Sequence, residues 1–162
     1  IASCLVGSEM CIRDSLWISL SELNIEFLSK GGENEVYTGD KDDIVVKLNN
    51  FEYAGDDLGN FFIRISAHNK FFSNVPYHMI GFAYNSQHEF CAVLIQPYIL
   101  AEREATESEI AEYMKALGFE MDYIDEFHNE QYEIFDAVPN NVLYGIDNDL
   151  YFIDTQIRRK EK

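Results

Sequence analysis

Short apolar runs, rich in β-branched and aromatic residues and bounded by glycine, proline, aspartate or asparagine, recur along most of the chain. They constrain its fold more than any other feature, because runs of about four to eight such residues between turn residues are typical of β-strands. The first two, Glu35–Thr38 and Ile44–Leu48, flank an Asp/Lys/Gly turn and predict a hairpin. We therefore expect antiparallel sheets with few helices.

Two segments have helical periodicity instead. The first runs from about Asp57 to Phe71, and its pattern predicts one face made of Leu58, Phe61, Phe62, Ile65 and Asn69. The second is better marked, because Thr106 and Glu109 form a capping box and Gly118 stands where a helix would end. Its apolar stripe consists of Ile110, Tyr113, Met114 and Leu117.

Further strands follow each helix. Two are joined by Ser86-Gln87, and Pro97 ends the second of them. Three shorter strands are predicted at Tyr132–Phe135, Val142–Tyr144 and Leu150–Ile153. With 162 residues, of which 47% are hydrophobic, the chain is long enough to bury a core as one small domain. The predicted class is α+β.

The charge of the chain excludes some partners. A formal net charge of −17 repels the phosphate backbone, so we expect no nucleic acid partner. No apolar run is long enough to span a bilayer, so we expect no membrane association.

Cys91 lies inside an apolar run and reads as a small core residue. Without a disulfide framework or zinc spacing, a reducing, cytoplasmic setting is expected.

The amino terminus reads differently from the rest. Residues 4–15, CLVGSEMCIRDS, look like a translated sequencing adaptor, since the codons allowed for Glu9–Asp14 include the core of a commonly used transposon end. A signal peptide fits poorly, because charged residues interrupt any apolar core. We therefore treat residues 1–15 as non-native and residues 16–162 as a single domain.

Polar residues recur in a fixed order around these elements. A glycine pair, Gly31-Gly32, precedes a strand within KGGENEVY, and Lys47 lies inside the next strand, IVVKL. A later strand closes with QPY, which contains Gln96 and Tyr98. After the second helix come Asp136, Asn141 and Asp154, each next to a short apolar run.

This order resembles the protein kinase superfamily. It is most similar to the compact kinase-like domain of phage and conjugative-element polyvalent proteins, in which a GGENEVY-like loop, an HN pair, a QPY hinge and a DxxxxNV loop recur. Here these are residues 31–37, His68-Asn69, 96–98 and 136–142. The resemblance covers about Phe27 to Asp154, and it implies a minimal kinase-like fold: an antiparallel N-lobe sheet with one helix (about 16–96) and a reduced C-lobe (about 97–162).

The resemblance also implies roles for the site residues. Gly31 and Gly32 would offer backbone N–H groups to phosphate oxygens, and Lys47 would be a point charge for the α and β phosphates of ATP. Gln96 and Tyr98 would lie at the nucleotide site. Asn141 and Asp154 would bind Mg²⁺, a hard cation that prefers oxygen ligands. Asp136 would accept the proton of the attacking hydroxyl or orient that hydroxyl. His68-Asn69 lies at the end of the first predicted helix, and we assign this pair a structural role.

Departures from the kinase pattern keep alternatives open. Ile134-Phe135, and not His-Arg, precedes Asp136, and Thr155-Gln156 follows Asp154 in place of Phe-Gly. The first helix offers no clear glutamate to pair with Lys47. Either the domain is minimal or the sequence is truncated at its end.

The first functional hypothesis is an ATP- and Mg²⁺-dependent phosphotransferase that acts on a hydroxyl of an unknown protein or small molecule. A nucleotide-binding pseudokinase and a non-enzymatic acidic interaction protein of a mobile element are the alternatives.

Overall fold

The computed structural model describes residues 16–39, 43–55 and 57–160. The predicted adaptor-derived segment, residues 1–15, and the predicted hairpin turn at 40–42 lie outside the described residues. The chain forms two compact units, one within residues 1–55 and 77–98 and the other within 56–76 and 99–162. The predicted boundary between an N-lobe and a C-lobe near residue 97 stays a prediction.

The first unit contains a five-stranded antiparallel sheet in the order β1-β2-β3-β5-β4. Its strands are β1 (Glu26–Lys30), β2 (Asn34–Thr38), β3 (Ile44–Asn49), β4 (His78–Tyr84) and β5 (Phe90–Pro97). The predicted hairpin is confirmed as β2 and β3, whose register pairs Tyr37 with Val46. The edge strand β1 was not predicted, because all of its residues are exposed and it lacks an alternating apolar pattern.

One side of this sheet carries a small core. Val46, Leu48, Ala83, Cys91 and Val93 are buried together there. The prediction that Cys91 is a core residue is confirmed, and burial raises the pKa of its thiol to about 11. A thiol with this pKa stays protonated and unreactive at neutral pH.

The second unit combines two helices with two antiparallel sheets. Its helices are α1 (Leu58–Phe71) and α2 (Glu107–Ala116). One sheet has the order β11-β10-β6 and consists of β6 (Ala101–Glu104), β10 (Val142–Gly145) and β11 (Leu150–Phe152). The other has the order β12-β9-β8-β7 and consists of β7 (Glu120–Tyr123), β8 (Glu126–His128), β9 (Tyr132–Phe135) and β12 (Gln156–Arg159). The predicted α+β class is confirmed.

The capping box predicted for α2 is present. Thr106 Oγ1 accepts a hydrogen bond from the backbone N–H of Glu109, and the Glu109 carboxylate accepts one from the backbone N–H of Thr106. Two further bonds from Arg103 hold the same carboxylate in place. After the helix, Gly118 has a φ of 83°, a conformation that glycine adopts without strain.

The predicted buried face of α1 is partly wrong. Leu58 and Phe62 are each 50% exposed, whereas Arg64 and His68 are buried. These two polar side chains enter the interior because they are hydrogen-bonded there: Arg64 donates to the Gln156 side chain of β12, and the His68 ring Nε2 lies 3.0 Å from the Val75 carbonyl oxygen. A hydrophobic pattern cannot reveal such a face.

Around these elements lies the core of the second unit. Phe72 and Phe152 stack at 4.2 Å between ring centroids, and neither is exposed. Ile110 and Met114 of α2 join them in the same buried cluster, as the stripe predicts. No helix in the described part of the chain combines the length and the apolarity that crossing a membrane requires.

Candidate functional site

The pairing of β9 with β12 brings Asp136 and Asp154 to one end of a sheet. Asp136 directly follows Phe135, the last residue of β9, and Phe135 pairs with Gln156, the first residue of β12. Asp154 precedes Gln156 by two residues, so both carboxylates stand at the same end of this strand pair.

Asn141 joins the two aspartates through backbone contacts. It ends a short turn of 3₁₀ helix, and its side-chain Nδ2 donates to the Asp136 backbone carbonyl at 3.0 Å. The backbone N–H of Ile153, next to Asp154, donates to the Asn141 carbonyl at 2.9 Å. The second unit thus brings together the three residues that the DxxxxNV motif and the later aspartate single out.

The backbone of Asp136 is held in an unusual conformation. Its φ is 57°, in the left-handed region that aspartate and asparagine tolerate better than other residues with a side chain. The next residue, Ala137, is buried, and its N–H donates to the Asp125 carbonyl at 3.2 Å. This turn leaves Asp136 exposed to solvent, whereas Ala137 next to it is fixed in the interior.

Three effects act on the Asp136 carboxyl group. Partial burial raises its pKa most, and the nearby charges of Asp154 and Asp125 raise it further, while a hydrogen bond from Asn141 acts in the opposite direction. The net result is a pKa above the ordinary value for aspartate. A raised pKa makes this carboxylate a better proton acceptor. Asp125 was missed at the sequence level, because it lies in the β7–β8 turn and belongs to no motif.

Asp154 and Asn141 carry side-chain oxygens of the kinds that a hard cation accepts. Because the Asn141 amide nitrogen is bound to the Asp136 carbonyl, the amide oxygen is directed elsewhere, where Asn140 donates to it at 3.3 Å. A carboxylate and an amide oxygen are ligands that Mg²⁺ accepts. Within the described ranges, no group of three or more His, Cys, Asp or Glu side chains is arranged to hold a metal. Mg²⁺ here would thus need further oxygen ligands from water and phosphate, as it commonly does.

Lys47 lies at the centre of the first unit's sheet. It pairs with Val36 of β2 and Leu94 of β5, and it is only 4% exposed. Its Nζ lies 3.4 Å from the Tyr77 hydroxyl and 5.3 Å from the centre of that ring. A lysine in a strand usually faces solvent, and a buried one requires partners for its charge. Its burial therefore sets Lys47 apart from an ordinary surface lysine.

The glycine pair forms the turn between β1 and β2. The Gly31 N–H donates to the Asn34 carbonyl at 2.9 Å, so this amide is engaged within the turn. Gly32 is the more constrained position, since a Cβ there would lie 3.0 Å from the Tyr53 hydroxyl, whereas a Cβ on Gly31 would have room. Both glycines are exposed.

A buried carboxylate beside this turn went unnoticed in the sequence. Glu35 is 2% exposed and accepts hydrogen bonds from Lys30, Tyr37 and Ser86. Burial alone would raise its pKa, but these bonds outweigh burial and bring the pKa down to about 2. The Glu35 network therefore ties the two strands around the glycine turn to the β4–β5 turn, where Ser86 lies.

The two predicted hinge residues lie at the end of β5. Gln96 is 1% exposed and pairs with Val45. Tyr98 is 47% exposed, and its backbone N–H donates to the Asp43 carbonyl at 2.8 Å. The first unit thus holds Gly31, Gly32, Lys47, Gln96 and Tyr98, and the second holds Asp136, Asn141 and Asp154.

Comparison with known proteins settles the family. No curated protein matches the chain. A family model described as "Serine/Threonine/Tyrosine Kinase found in polyvalent proteins" matches residues 8–161, which is nearly the whole chain. The match agrees with the resemblance carried by the GGENEVY, QPY and DxxxxNV segments, and it supports a kinase-like domain of the transferase class. The chain belongs to the serine/threonine/tyrosine kinases found in polyvalent proteins.

Proposed function

We propose that this domain is an ATP- and Mg²⁺-dependent phosphotransferase that acts on a hydroxyl group of a protein or small molecule. The observation that carries the proposal is the convergence of Asp136, Asn141 and Asp154, tied together by the Asn141–Asp136 and Ile153–Asn141 hydrogen bonds. Phosphoryl transfer needs positioning and charge neutralisation more than covalent chemistry by the protein, and this arrangement offers both.

Asp136 is the proposed proton acceptor. The acceptor oxygen forms a bond to the γ-phosphorus, the bond from that phosphorus to the bridging oxygen breaks, and ADP leaves. The hydroxyl proton passes to the Asp136 carboxylate, whose raised pKa favours its capture. The left-handed backbone fixes the direction from which this carboxylate meets the acceptor.

Asn141 and Asp154 are the proposed metal ligands. When bound, Mg²⁺ supplies positive charge to the β and γ phosphate oxygens. The Asn141 side chain is already oriented by its bond to the Asp136 carbonyl, so little ordering is needed on binding. Asp154 contributes the carboxylate. The hydrogen bond from the Ile153 N–H to the Asn141 carbonyl holds the backbone next to Asp154 close to Asn141.

The first unit is proposed to bind the nucleotide. Lys47 would meet the α and β phosphates, Gly31 and Gly32 would shape the turn that approaches them, and Gln96 and Tyr98 would contact the base. For Gly31 this is a conformational role, since its N–H is already bonded to Asn34. The Glu35 network would keep the flanking strands in place.

One observation favours the pseudokinase as a second candidate. Kinases pair the strand lysine with a helix glutamate, yet α1, LGNFFIRISAHNKF, contains no acidic residue. A pseudokinase would bind nucleotide through Lys47 and Asp154 without transferring phosphate. The third hypothesis, an acidic interaction protein, requires no nucleotide at all.

Thermal unfolding with ATP, ADP and GTP, each with and without Mg²⁺, distinguishes these hypotheses. We expect a nucleotide to raise the unfolding temperature more with Mg²⁺ than without, since a ligand stabilises the state that binds it. No shift with any nucleotide would refute both nucleotide-dependent hypotheses.

A second experiment distinguishes the phosphotransferase from the pseudokinase. Transfer of labelled γ-phosphate, to the protein itself or to water, is measured for the wild type and for Asp136→Asn. We expect the variant to keep nucleotide binding and lose transfer. Asp122→Asn is the matched control, because it removes the same charge from an aspartate of the second unit that binds His128. Wild-type protein that binds nucleotide and transfers nothing would support the pseudokinase.

A further inference from the structure

Five aromatic rings form a continuous group on one face of the first unit, which we call the aromatic surface: Trp17, Phe51, Phe82, Tyr84 and Phe90. Phe90 pairs with Tyr84 across β4 and β5, and Phe82 lies two residues before Tyr84, so these three side chains share one face of the sheet. Phe90 stacks with Phe82 at 5.1 Å and with Phe51 at 5.7 Å between centroids. Trp17 contacts Tyr84 at 5.0 Å and Phe90 at 6.5 Å.

Much of this aromatic surface is open to solvent. Trp17 is 44% exposed, Tyr84 53% and Phe90 44%. The surface lies at the edge of the sheet, since β4 is an edge strand and Trp17 forms a bridge to Phe82 there. Contiguous exposed apolar patches mark interaction sites, and aromatic residues are enriched in interfaces. The proposed phosphoryl transfer uses none of these rings.

The chain segments that supply the aromatic surface carry acidic charge. The segments that supply the rings, residues 16–23, 51–54 and 82–91, contain Glu22, Glu52 and Glu89 but no lysine or arginine. Lys30 reaches Gln87 in the β4–β5 turn, but its charge is balanced by the Glu35 carboxylate at 3.0 Å. The net charge of the chain, −17, has the same sign.

We propose that the aromatic surface binds a basic polypeptide segment. Arginine and lysine side chains are attracted to the faces of tryptophan, tyrosine and phenylalanine rings, and their charge is opposite to that of these acidic segments and of the whole chain. A second copy of this chain and an anionic membrane are both negatively charged, so the acidic charge of this protein would repel them. The proposal does not rest on the phosphotransferase function.

The chain offers a direct reporter, because Trp17 is its single tryptophan. An eight-residue peptide of alternating arginine and leucine is titrated into the full chain while tryptophan emission is recorded. A peptide of alternating glutamate and leucine serves as the comparison. We expect a saturable change in Trp17 emission with the basic peptide and none with the acidic one. Equal changes with both peptides, or none with either, would overturn the proposal.

Tyr84→Ala tests whether the rings matter or only the net charge. Removing this ring leaves the charge of the chain unchanged, and we expect the basic peptide to bind about two- to fivefold more weakly. Tyr84→Phe keeps the ring and should bind like the wild type. The matched control is Tyr123→Ala, in the second unit, which removes a tyrosine that is 69% exposed. Equal affinities of Tyr84→Ala and Tyr123→Ala would mean non-specific charge attraction and refute the proposal.

Binding of a second copy or of a membrane to the aromatic surface would give different results from binding of a basic peptide. Self-association in sedimentation experiments that Tyr84→Ala abolishes, or binding to phosphatidylserine-containing vesicles, would refute the proposal in favour of a second copy or a membrane. Circular dichroism confirms that each variant is folded. Asp136→Asn should bind the basic peptide like the wild type, so loss of phosphoryl transfer and loss of peptide binding are separate results.

Discussion

Asp136→Asn should make the protein more stable at neutral pH while it abolishes phosphoryl transfer. The folded state raises the pKa of this carboxyl group, through partial burial first and then through Asp154 and Asp125. The folded protein therefore holds this proton more tightly than the unfolded chain, and the ionised form destabilises the fold. Asparagine removes that charge but retains a side chain that tolerates a φ of 57°.

The direction of the pH dependence follows from the same shift. Stability contributed by Asp136 is gained as pH falls through its folded pKa, because protonation removes a charge that is partly desolvated and lies near Asp154 and Asp125. The advantage of Asp136→Asn over the wild type should thus be largest at about pH 7.5 and should shrink toward about pH 4, near the ordinary pKa of aspartate. Thermal unfolding in the presence of a chelator measures this without a contribution from metal.

Asp136→Ala separates the effect of the left-handed backbone on stability from the effect of the carboxylate charge. Alanine also removes the carboxylate, but the left-handed conformation costs a residue of this type about 1–2 kcal/mol. For a chain of this size, about 1 kcal/mol shifts the unfolding temperature by roughly 2–4 °C. We therefore expect Asp136→Ala to unfold roughly 2–8 °C below Asp136→Asn. The reasoning fails if Asp136→Asn unfolds below the wild type at neutral pH, or if the two variants unfold together.

Four further substitutions test the fold and the nucleotide site. Glu35→Gln should lower the free energy of unfolding at neutral pH by about 3 kcal/mol, since one pKa unit is about 1.4 kcal/mol and the folded pKa is depressed from 4.5 to about 2. This difference should fade as pH drops from about 4.5 toward about 2. Thr106→Ala should cost about 1 kcal/mol by breaking the capping box, and Thr106→Ser much less, as thermal unfolding would show. Phe152→Ala should cost about 3–5 kcal/mol in urea unfolding, because its fully buried ring stacks on Phe72. Lys47→Met should abolish the rise in unfolding temperature that nucleotide causes, because it removes the charge proposed to bind the α and β phosphates.

Elements with local signals could be predicted from the sequence. The α2 helix carries its start, stripe and stop within 13 residues, 106–118, and the β2–β3 hairpin has two β-rich runs beside one turn. Asp136 and Asn141 are five positions apart, so their contact is also local. These predictions succeeded because nearby residues alone determine the structure.

Strands at sheet edges could not be predicted in the same way. All residues of β1, β6 and β7 are exposed, so these strands show no apolar alternation. Backbone pairing with a neighbouring strand stabilises them, and that pairing is not visible in their own composition. The prediction for the face of α1 was partly wrong for a related reason, since buried Arg64 binds Gln156, which lies 92 residues away along the chain, and buried His68 contacts a backbone carbonyl beyond the end of the helix.

The proposed site also combines residues with a local sequence signal and residues whose role depends on tertiary structure. Asp136 and Asp154 could be singled out by motif and order, whereas Asp125 acts on Asp136 only through the folding of the β7–β8 turn. The Glu35 network likewise depends on Ser86, 51 residues away along the chain. Partners of this kind follow from tertiary structure, and a single sequence carries no local signal for them.

The antiparallel ladder that follows Asp154 has a consequence for control of the proposed phosphotransferase. Four residue pairs, from Gln156–Phe135 to Arg159–Tyr132, bind the stretch after this aspartate to the strand that ends beside Asp136. A movement of Asp154 away from Asp136 would break the first pair of that ladder and the hydrogen bond between Ile153 and Asn141. In the proposed phosphotransferase, an off-state made by displacing this aspartate is therefore disfavoured, and inhibition is expected to act on nucleotide entry or on access of the phosphate acceptor.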